Sequence, residues 1–316
     1  MYLKKPSFWD KQINILSYLL LPFTIFVRVN NFLNSKKKKY LSKKLKTICV
    51  GNIYVGGTGK TPTTIKLYDL IKKIKNTSTA KKYYLNQQDE EILLKRKTKF
   101  LTASSRKSIL KLAEKKNIEV LIFDDGLQDN QIDYNFKFVC FDGDLGIGNG
   151  LLLPAGPLRE TINSLKKYDV VFIKKGNNLN NLNNLIKLIE KHNKRIKIFI
   201  TDYKVSKFSK FNRSKKYLIY SGIGNPHSFA KILKQNKVKI VDKIIFPDHH
   251  SYSNQDFNFI LNKAKQNNAE IITTEKDYVK VPKKLQKKIK FLKVNLIIHN
   301  EKKLIKFLKL NLNDKN

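Results

Sequence analysis

The sequence predicts an α/β fold: a mostly parallel sheet with flanking helices, a smaller second α/β domain and an N-terminal membrane-associated helix. An apolar strand at residues 47–50 leads into a glycine-rich turn, and a helical pattern follows over residues 63–74. Further apolar runs alternate with helical stretches, which is typical of parallel sheets whose strands are joined by crossover helices. These runs cover residues 138–141, 170–173, 196–200 and 218–220.

The glycine-rich turn has the composition of a phosphate-binding loop, which makes the first domain P-loop NTPase-like. Glycines let several backbone N–H groups point inward, the Lys60 side chain can reach β and γ phosphate oxygens, and the Thr61 hydroxyl suits Mg²⁺. The common spacing has glycine where Tyr54 stands, so the loop is a variant, and a plain glycine-rich turn is the alternative. The residues predicted to bind a nucleotide are Tyr54, Val55, Gly56, Gly57, Thr58, Gly59, Lys60 and Thr61.

A second apolar strand, at residues 119–123, ends in the carboxylates Asp124 and Asp125. Mg²⁺ prefers hard oxygen ligands and keeps several waters, so one carboxylate can hold the ion while the other organises its shell. Taken alone, the pair also fits an acidic turn after a core strand. Together with the phosphate loop, it predicts a nucleotide-associated Mg²⁺ site formed by Thr61, Asp124 and Asp125.

Cysteine and histidine usage gives no sign of a disulfide framework or of zinc. Cys49 and Cys140 both lie in predicted core strands, where packed thiols are expected, and this fits a reducing cytosol. The five histidines are scattered without the spacing of a zinc site. We therefore expect no metal beyond the one that accompanies the nucleotide.

The formal net charge is +39, which raises the question of an anionic partner. Only six of the 64 basic residues are arginines, and the lysines are spread along the whole chain. Readout of bases favours arginine, so no nucleic-acid partner is predicted. Most of the excess charge is expected on solvated faces, and an anionic membrane surface is the remaining option.

An apolar run at residues 13–27 is interrupted by Asn14, Ser17 and Pro22 and stops at Arg28. Spanning a bilayer takes about 20 apolar residues, so a helix that lies on or dips into the membrane is the better interpretation. A cluster of lysines at residues 36–39 follows, where an anionic leaflet would attract it. A secretory signal is disfavoured by the lack of a small-residue cleavage site. An amphipathic helix packed on the core is the other alternative.

Three segments are predicted: an N-terminal membrane-associated helix with its basic segment at residues 1–46, a P-loop kinase core at residues 47–205, and a smaller C-terminal α/β domain at residues 206–316. The second boundary falls near residues 203–216, where polar and basic residues interrupt the strand pattern. The active site is expected between the two α/β domains.

Four blocks stand out along the chain: residues 50–62, 124–128, 153–160, and 246–250 together with 273–277. In this order they resemble the tetraacyldisaccharide 4'-kinase family. The resemblance implies an ATP- and Mg²⁺-dependent lipid kinase of lipid A biosynthesis. Its substrate would be an anionic glycolipid, tetraacyldisaccharide 1-phosphate, phosphorylated on its 4'-hydroxyl. Such an enzyme would work as a peripheral or monotopic protein on the cytoplasmic face of the inner membrane; protein partners are unknown.

The same resemblance assigns roles to individual residues. Asp89 would be the catalytic base and would work with His249, because an Asp with a pKa of about 3.9 is a poor base for a sugar hydroxyl unless a neighbour tunes and orients it. Arg106 and Arg159 match arginines suited to phosphate recognition. Glu160 would complete the metal shell.

Two departures from the family pattern carry structural expectations. The stretch at residues 75–88 is shorter than usual, which predicts that the strand after the first helix is reduced or missing. Asp129 stands where the family usually has His.

The alternative function is a regulatory P-loop ATPase or GTPase acting on a protein partner. Val55 replaces the lysine often found there in positioning ATPases, and no Asn-Lys-x-Asp guanine-reading motif is present.

Overall fold

The computed structural model describes residues 5–84, 88–206, 212 and 214–313. The chain forms two compact units. The larger unit comprises Lys5–Tyr84, Leu94–Asp202 and Leu296–Asn316, and the smaller unit includes Leu85–Leu93 and Tyr203–Asn295. Part of the predicted boundary at residues 203–216 and residues 85–87 of the stretch at 75–88 lie outside the described residues.

Twelve strands are found in the described part of the chain. They are β1 (Lys46–Gly51), β2 (Thr77–Lys82), β3 (Phe100–Ala103), β4 (Val120–Asp124), β5 (Phe136–Asp142), β6 (Val170–Lys174), β7 (Lys197–Val205), β8 (Lys216–Ser221), β9 (Lys239–Ile245), β10 (Glu270–Thr274), β11 (Ile289–Leu292) and β12 (Val294–Ile298). The helices are α1 (Ile15–Leu20), α2 (Thr24–Lys36), α3 (Lys60–Ile71), α4 (Gln88–Lys97), α5 (Arg106–Lys115), α6 (Leu179–His192), α7 (Pro226–Gln235), α8 (Asn254–Gln266), α9 (Glu275–Tyr278) and α10 (Glu301–Asn313).

The larger unit is built on an eight-stranded sheet in the order β12-β7-β6-β5-β1-β4-β2-β3. All neighbours from β7 to β3 pair in parallel. The central strand β1 buries Ile48, Cys49 and Val50 completely, and apolar clusters lie on both faces of the sheet. This confirms the predicted mostly parallel sheet with flanking helices.

Strand β2 corrects one expectation, because a full six-residue strand follows the first helix. It pairs in parallel with both β3 and β4. Its sequence is Thr-Ser-Thr-Ala-Lys-Lys, and Thr77, Ser78, Thr79 and Lys81 are buried although they are polar. The strand was missed because it lacks the apolar run by which a buried strand is normally recognised.

The smaller unit has its own four-stranded sheet, in the order β11-β10-β8-β9, and all of its pairings are parallel. One apolar cluster packs helix α7 against the sheet around Tyr217 and Leu233, and another packs α8 around Tyr220 and Ile260. A second α/β element is therefore present, as predicted.

The last residues of the chain do not belong to the same unit as the rest of the predicted C-terminal domain at residues 206–316. Residues 296–316 belong to the larger unit, because β12 lies next to β7 at the edge of the eight-stranded sheet. Helix α10 also buries Leu304, Leu308 and Leu312. Residues 5–46 belong to the larger unit as well.

Cys49 and Cys140 are buried free thiols, in agreement with the sequence expectation. Burial raises the pKa of Cys140 to about 12, so this thiol stays protonated at neutral pH.

The N-terminal helices have their polar side inward and their apolar side outward. Helices α1 and α2 join through a short turn into a helical segment, Ile15–Lys36, of 22 residues, and only 11% of its most apolar stretch is buried. By length and composition this segment is long enough to cross a membrane. Val27 packs against the cluster of Tyr54, Leu152 and Leu158, but most of the large apolar residues of the segment are exposed, which disfavours a helix whose apolar side packs on the core. The exposed large apolar residues are Ile13, Ile15, Leu16, Tyr18, Leu19, Phe23, Ile25, Phe26, Val29, Phe32 and Leu33.

The inward side of this segment is held by hydrogen bonds to the larger unit. Asn149 donates to the hydroxyl of the fully buried Ser17 (3.2 Å), and Asn31 donates to the carbonyl oxygen of Arg159 (2.9 Å). Near the end of α2, Asn130 donates to Asn34 Oδ1 (3.3 Å). Polar contacts therefore attach both helices to the protein surface.

Candidate active site

The phosphate loop connects the end of β1 to the start of α3. Gly56 has φ 134° and Gly59 has φ 87°, conformations that side-chain-bearing residues rarely adopt. Gly59 is also the residue before α3, so the helix begins at Lys60, three residues earlier than the predicted pattern. The loop thus ends at a helix N-terminus, the usual arrangement for binding phosphate.

Tyr54 occupies the consensus glycine position without the need for glycine, because its φ is not positive. Its fully buried side chain packs with Leu152 and Leu158. Its hydroxyl group donates a hydrogen bond to Asp10 and accepts one from Lys5. The side chain therefore anchors the loop to the N-terminal segment, and only its backbone is available to a nucleotide.

Asn52 is a positioning residue that the sequence analysis did not single out. It is fully buried, and its amide nitrogen donates to the carbonyl oxygens of Tyr54 and Gly56. Its Oδ1 accepts a hydrogen bond from Lys60 Nζ at 3.2 Å. One side chain thus fixes both the start of the loop and its lysine. The signal was its place in the first block of the family resemblance, between Gly51 and the loop.

Three predicted residues meet at the end of β4. Lys60 Nζ lies 3.5 Å from Asp125 Oδ2, and Arg159 Nη1 lies 3.3 Å from the same oxygen. Asp125 has φ 64°, a left-handed conformation that is uncommon for a residue with a side chain. Such backbone strain is often found at functional sites. Two cations therefore converge on one carboxylate next to the phosphate loop.

Thr61 and Asp124 form the predicted oxygen-rich pair. The Thr61 hydroxyl donates to Asp124 Oδ2 at 2.8 Å, and Thr64 donates to Oδ1 at 3.2 Å. Asp124 is completely buried, and Lys81 Nζ lies 3.8 Å from its Oδ2. A hydroxyl and a carboxylate beside a phosphate loop are the ligand types that suit Mg²⁺.

Glu160 is not brought into this group. Its carboxylate accepts hydrogen bonds from Gln128 (2.6 Å) and from the Tyr168 hydroxyl (3.0 Å). No cluster of three or more His, Cys, Asp or Glu side chains suited to a metal occurs within the described residues. A metal shell that includes Glu160 therefore remains a prediction.

Arg106 lies at the start of α5 and is buried. Its Nη1 atom donates to Asp129 Oδ2 at 2.6 Å, and its Nη2 atom donates to the carbonyl oxygen of Asp125 at 2.7 Å. Asp129, which departs from the family pattern, is thus the partner of this arginine. Both terminal nitrogens of Arg106 are thus engaged within the protein, and a role of Arg106 in phosphate recognition stays a prediction.

The smaller unit brings Asp89 and His249 together, as predicted. His249 Nδ1 lies 2.9 Å from Asp89 Oδ1. Asp89 sits in the first turn of α4 and is 4% exposed. His249 has φ 61°, and its N–H donates to the carbonyl oxygen of Gly222. A Cβ atom added to Gly222 would lie 3.0 Å from the Pro247 carbonyl oxygen, so this close approach favours glycine.

Two lysines that the sequence analysis did not assign surround this pair. Lys280 Nζ lies 2.9 Å from Asp89 Oδ2, and Lys276 Nζ lies 3.7 Å from the same oxygen. Lys276 also lies 3.3 Å from His249 Nε2 and 3.3 Å from Glu90 Oε1. Lys276 belongs to the last block of the family resemblance, which was the only signal for it.

These contacts set the charge of Asp89. Burial alone would raise the pKa of Asp89, but the hydrogen bond with His249 and the charges of Lys276 and Lys280 outweigh it and hold the pKa well below its usual range. Burial likewise opposes the charge of Lys276, but Glu90, Asp248 and Asp89 raise its pKa. Asp89 is therefore ionised throughout the neutral pH range.

This pKa shift predicts a pH-dependent contribution to stability. Because the folded pKa of Asp89 lies below the unfolded value of about 3.9, the stabilisation is fully present above that value and is lost as pH falls through the folded pKa. We expect the free energy of unfolding of wild type and Asp89→Asn to differ most near neutral pH and to converge in acid. Urea unfolding followed by circular dichroism measures the free energy of unfolding of both proteins at each pH. The exposed Glu190→Gln variant is the control, and a difference that is constant with pH would contradict the assignment.

The fold and the phosphate-loop geometry define a P-loop α/β protein. The sequence profile described as LpxK, Tetraacyldisaccharide-1-P 4'-kinase, matches residues 13–313. The chain belongs to this family. It is 44% identical over its full length to the tetraacyldisaccharide 4'-kinase of Pelagibacter ubique (strain HTCC1062), all of which is covered. It is 35% identical to that of Rickettsia canadensis (strain McKiel), with 93% of each chain covered.

A solved structure shows the same fold. LpxK from Aquifex aeolicus, crystallised in complex with ATP, aligns with a TM-score of 0.70 at 23% identity, over 94% of this chain and 100% of that one. The likeness confirms the predicted architecture.

Proposed function

We propose that this protein transfers the γ-phosphoryl group of ATP to the 4'-hydroxyl of tetraacyldisaccharide 1-phosphate, which yields lipid IVA in lipid A biosynthesis. The observation that carries the proposal is the phosphate loop with Lys60, Asp125 and Arg159 gathered beside it, in a chain that matches the kinase family over residues 13–313. Phosphoryl transfer relies mainly on positioning and charge stabilisation, and this group of residues supplies both.

The loop residues suit a triphosphate. The Thr58 hydroxyl is buried and has no hydrogen-bond partner within the described residues, so a phosphate oxygen would satisfy it. Lys60 would exchange its contacts with Asn52 and Asp125 for phosphate oxygens, and Arg159 would balance charge on the transferring group. Thr61 and Asp124 would hold Mg²⁺, with Asp125 next to it; when bound, the ion neutralises phosphate charge and orients the phosphates.

The smaller unit would supply the group that receives the hydroxyl proton. In the reaction the hydroxyl oxygen bonds to the γ-phosphorus, the bond to ADP breaks, and the proton passes to Asp89. His249 occupies Oδ1, so Oδ2 is the oxygen for this proton, shared with Lys280. The low pKa makes Asp89 a weak base. This is sufficient in a loose transition state, where the hydroxyl becomes acidic only as its bond to phosphorus forms.

A purified-enzyme assay tests the proposal. The protein, kept in neutral detergent, is incubated with γ-labelled ATP and tetraacyldisaccharide 1-phosphate, and lipid-bound label is separated by thin-layer chromatography. We expect label in the lipid product and little ADP when the glycolipid is omitted. Steady ATP or GTP hydrolysis without glycolipid, with no labelled lipid, would instead favour a regulatory nucleotidase.

The N-terminal helices support attachment to the cytoplasmic face of the inner membrane. Their apolar side chains face outward, whereas on the inner side Asn31 donates a hydrogen bond to, and Ser17 and Asn34 accept hydrogen bonds from, the rest of the larger unit. A helical segment held by hydrogen bonds near its start and near its end fits a monotopic attachment better than a free span. The lysines at residues 36–39 follow directly, and each is worth about 1 kcal/mol near an anionic leaflet.

We expect the double variant Phe26→Ser/Phe32→Ser to bind vesicles about 10-fold more weakly or worse, because each buried phenylalanine contributes about 1.5–3 kcal/mol. Flotation with phosphatidylglycerol-containing vesicles measures the bound fraction. The control, Phe259→Ser/Leu310→Ser, removes two exposed apolar side chains from α8 and α10 and should bind like wild type. Equal loss in both double variants would refute attachment through the N-terminal helices.

A further inference from the structure

The side chain of Tyr54 joins the start of the phosphate loop to the segment that precedes α1. Tyr54 is fully buried, and its hydroxyl group donates to Asp10 and accepts from Lys5 Nζ at 2.5 Å. Lys5 Nζ also lies 2.5 Å from Asp10 Oδ2 and 4.9 Å from the centre of the Tyr54 ring. A buried hydroxyl needs hydrogen-bond partners, and here both partners come from residues 5–10. The tyrosine and this segment therefore depend on each other.

Residues 5–10 are themselves fixed to the larger unit through Trp9. The indole Nε1 atom donates to the carbonyl oxygen of Pro154 at 3.0 Å, and the Trp9 carbonyl oxygen accepts from the Asn149 N–H at 2.8 Å. A Cβ atom added to Gly148 would clash with that carbonyl oxygen, so the close approach requires glycine. The segment that supplies the partners of Tyr54 is thus held in place.

The Tyr54 ring also lies beside the loop itself. A Cβ atom added to Gly56 would lie 3.5 Å from the ring carbon Cε1, which places the ring next to the loop backbone. The Gly56 carbonyl oxygen accepts from the Asn52 amide at 3.2 Å and from the Thr58 N–H at 3.0 Å. Backbone N–H groups of such loops point at phosphate oxygens. The position of the ring therefore affects the backbone that would hold the nucleotide.

Helix α2 contacts the same cluster from another direction. Tyr54 packs with Leu152 and Leu158, and Val27 of α2 packs against them. Residues before α1 and within α2 thus surround one side chain of the phosphate loop. A glycine at position 54, as in the common spacing, would make none of these side-chain contacts.

We propose that Lys5 and Asp10 are positioning residues for the nucleotide: through the Tyr54 hydroxyl group they hold the phosphate loop in the shape that binds ATP. The inference rests on the proposed function and adds a part of the chain, residues 5–10, that the roles assigned above do not use. Because Lys5 and Asp10 act through Tyr54 and not on the reacting atoms, their effect falls on nucleotide affinity and not on the transfer step.

A double-mutant cycle of Tyr54→Phe and Asp10→Ala tests the link. Isothermal titration measures the Kd for MgATP in neutral detergent without acceptor. Each single variant should raise this Kd by about 10-fold, the factor that corresponds to loss of one hydrogen bond to a charged group. The double variant should bind MgATP about as weakly as either single variant, because both changes remove the same hydrogen bond. The KM for ATP should rise in parallel, with kcat at saturating ATP retained.

The matched control is Asp69→Ala, which removes another aspartate paired with a lysine at 2.5 Å, on an exposed part of α3 in the same unit. It should keep the wild-type Kd. Lys5→Met should weaken MgATP binding, as Asp10→Ala does. Asp10→Asn keeps an oxygen that can accept from Tyr54, so it should bind MgATP more tightly than Asp10→Ala. Vesicle flotation should not differ between wild type and Tyr54→Phe, because the apolar side chains of the N-terminal helices are unchanged.

Other results overturn the inference. Wild-type affinity in Tyr54→Phe contradicts it, and so does a double variant whose loss equals the product of the two single losses. A loss of vesicle binding that accompanies the loss of MgATP affinity would assign residues 5–10 to membrane attachment instead. A fall in kcat with unchanged Kd would contradict a positioning role. A wild type that binds no MgATP would refute the proposed kinase function itself.

Discussion

Lys60→Met will lower kcat by about 10²–10³-fold, because the variant keeps the length of the side chain but removes the charge that stabilises the transferring phosphoryl group. Asp125 retains Arg159 as a partner in this variant, so its carboxylate is not left unpaired. Initial rates of lipid labelling at saturating glycolipid, measured over a range of ATP concentrations, separate the effect on kcat from that on KM.

The control for this variant is Lys73→Ala, an exposed lysine just beyond the end of α3. It should leave both constants near wild type. Retention of wild-type kcat in Lys60→Met, with a folded protein by circular dichroism, would remove Lys60 from the transfer step. The nucleotide would then have to be held by the loop backbone alone.

Asp89→Asn should lower kcat by about 10²–10⁴-fold, the range for loss of a general base. Asparagine preserves the shape of the side chain but cannot accept the hydroxyl proton. Its KM for ATP should change little, because Asp89 belongs to the smaller unit and the phosphate loop to the larger one. The same labelling assay measures both constants.

The matched control is Asp242→Asn, which also removes an ion-paired carboxylate from the smaller unit, where Asp242 pairs with Lys263 at 2.9 Å. It should keep wild-type kcat. A second discriminating measurement is the pH dependence of kcat in the wild type. Because Asp89 is ionised well below its usual range, no loss of rate should follow protonation of this group near pH 4. A fall in kcat with an apparent pKa near about 4–5 that disappears in Asp89→Asn would show that the lysines do not set its charge.

The strands that could be predicted from the sequence are those that pack through apolar side chains. β1, β4, β5 and β6 each bury nearly every residue, so a short apolar run identified them. β2 buries residues equally well, but with threonine, serine and lysine. The backbone pairing with β3 and β4 decides its conformation, and a pattern of apolar residues cannot report that.

At the site, motif spacing was enough to locate residues that lie on a single loop, helix start or strand end. Lys60 and Thr61 follow the loop directly, and Asp124 and Asp125 end a strand. The contacts of Arg106 and of Lys280 depend instead on residues 23 and 191 positions away, Asp129 and Asp89. Tyr54 departs from the consensus spacing without disrupting the loop. Its side chain packs in the core with Leu152 and Leu158, so only its backbone takes part in the loop.

The apolar sides of the two N-terminal helices face outward, and this affects the solubility of the chain in water. Ten large apolar side chains of the segment Ile15–Lys36, and Ile13 just before it, are solvent-facing, far more than a dispersed monomer normally tolerates. In the proposed attachment, fatty acyl chains would cover them, the same material that the glycolipid contributes. The protein would then be confined to a two-dimensional phase, where enzyme and acceptor would meet by lateral diffusion rather than by encounter in the bulk.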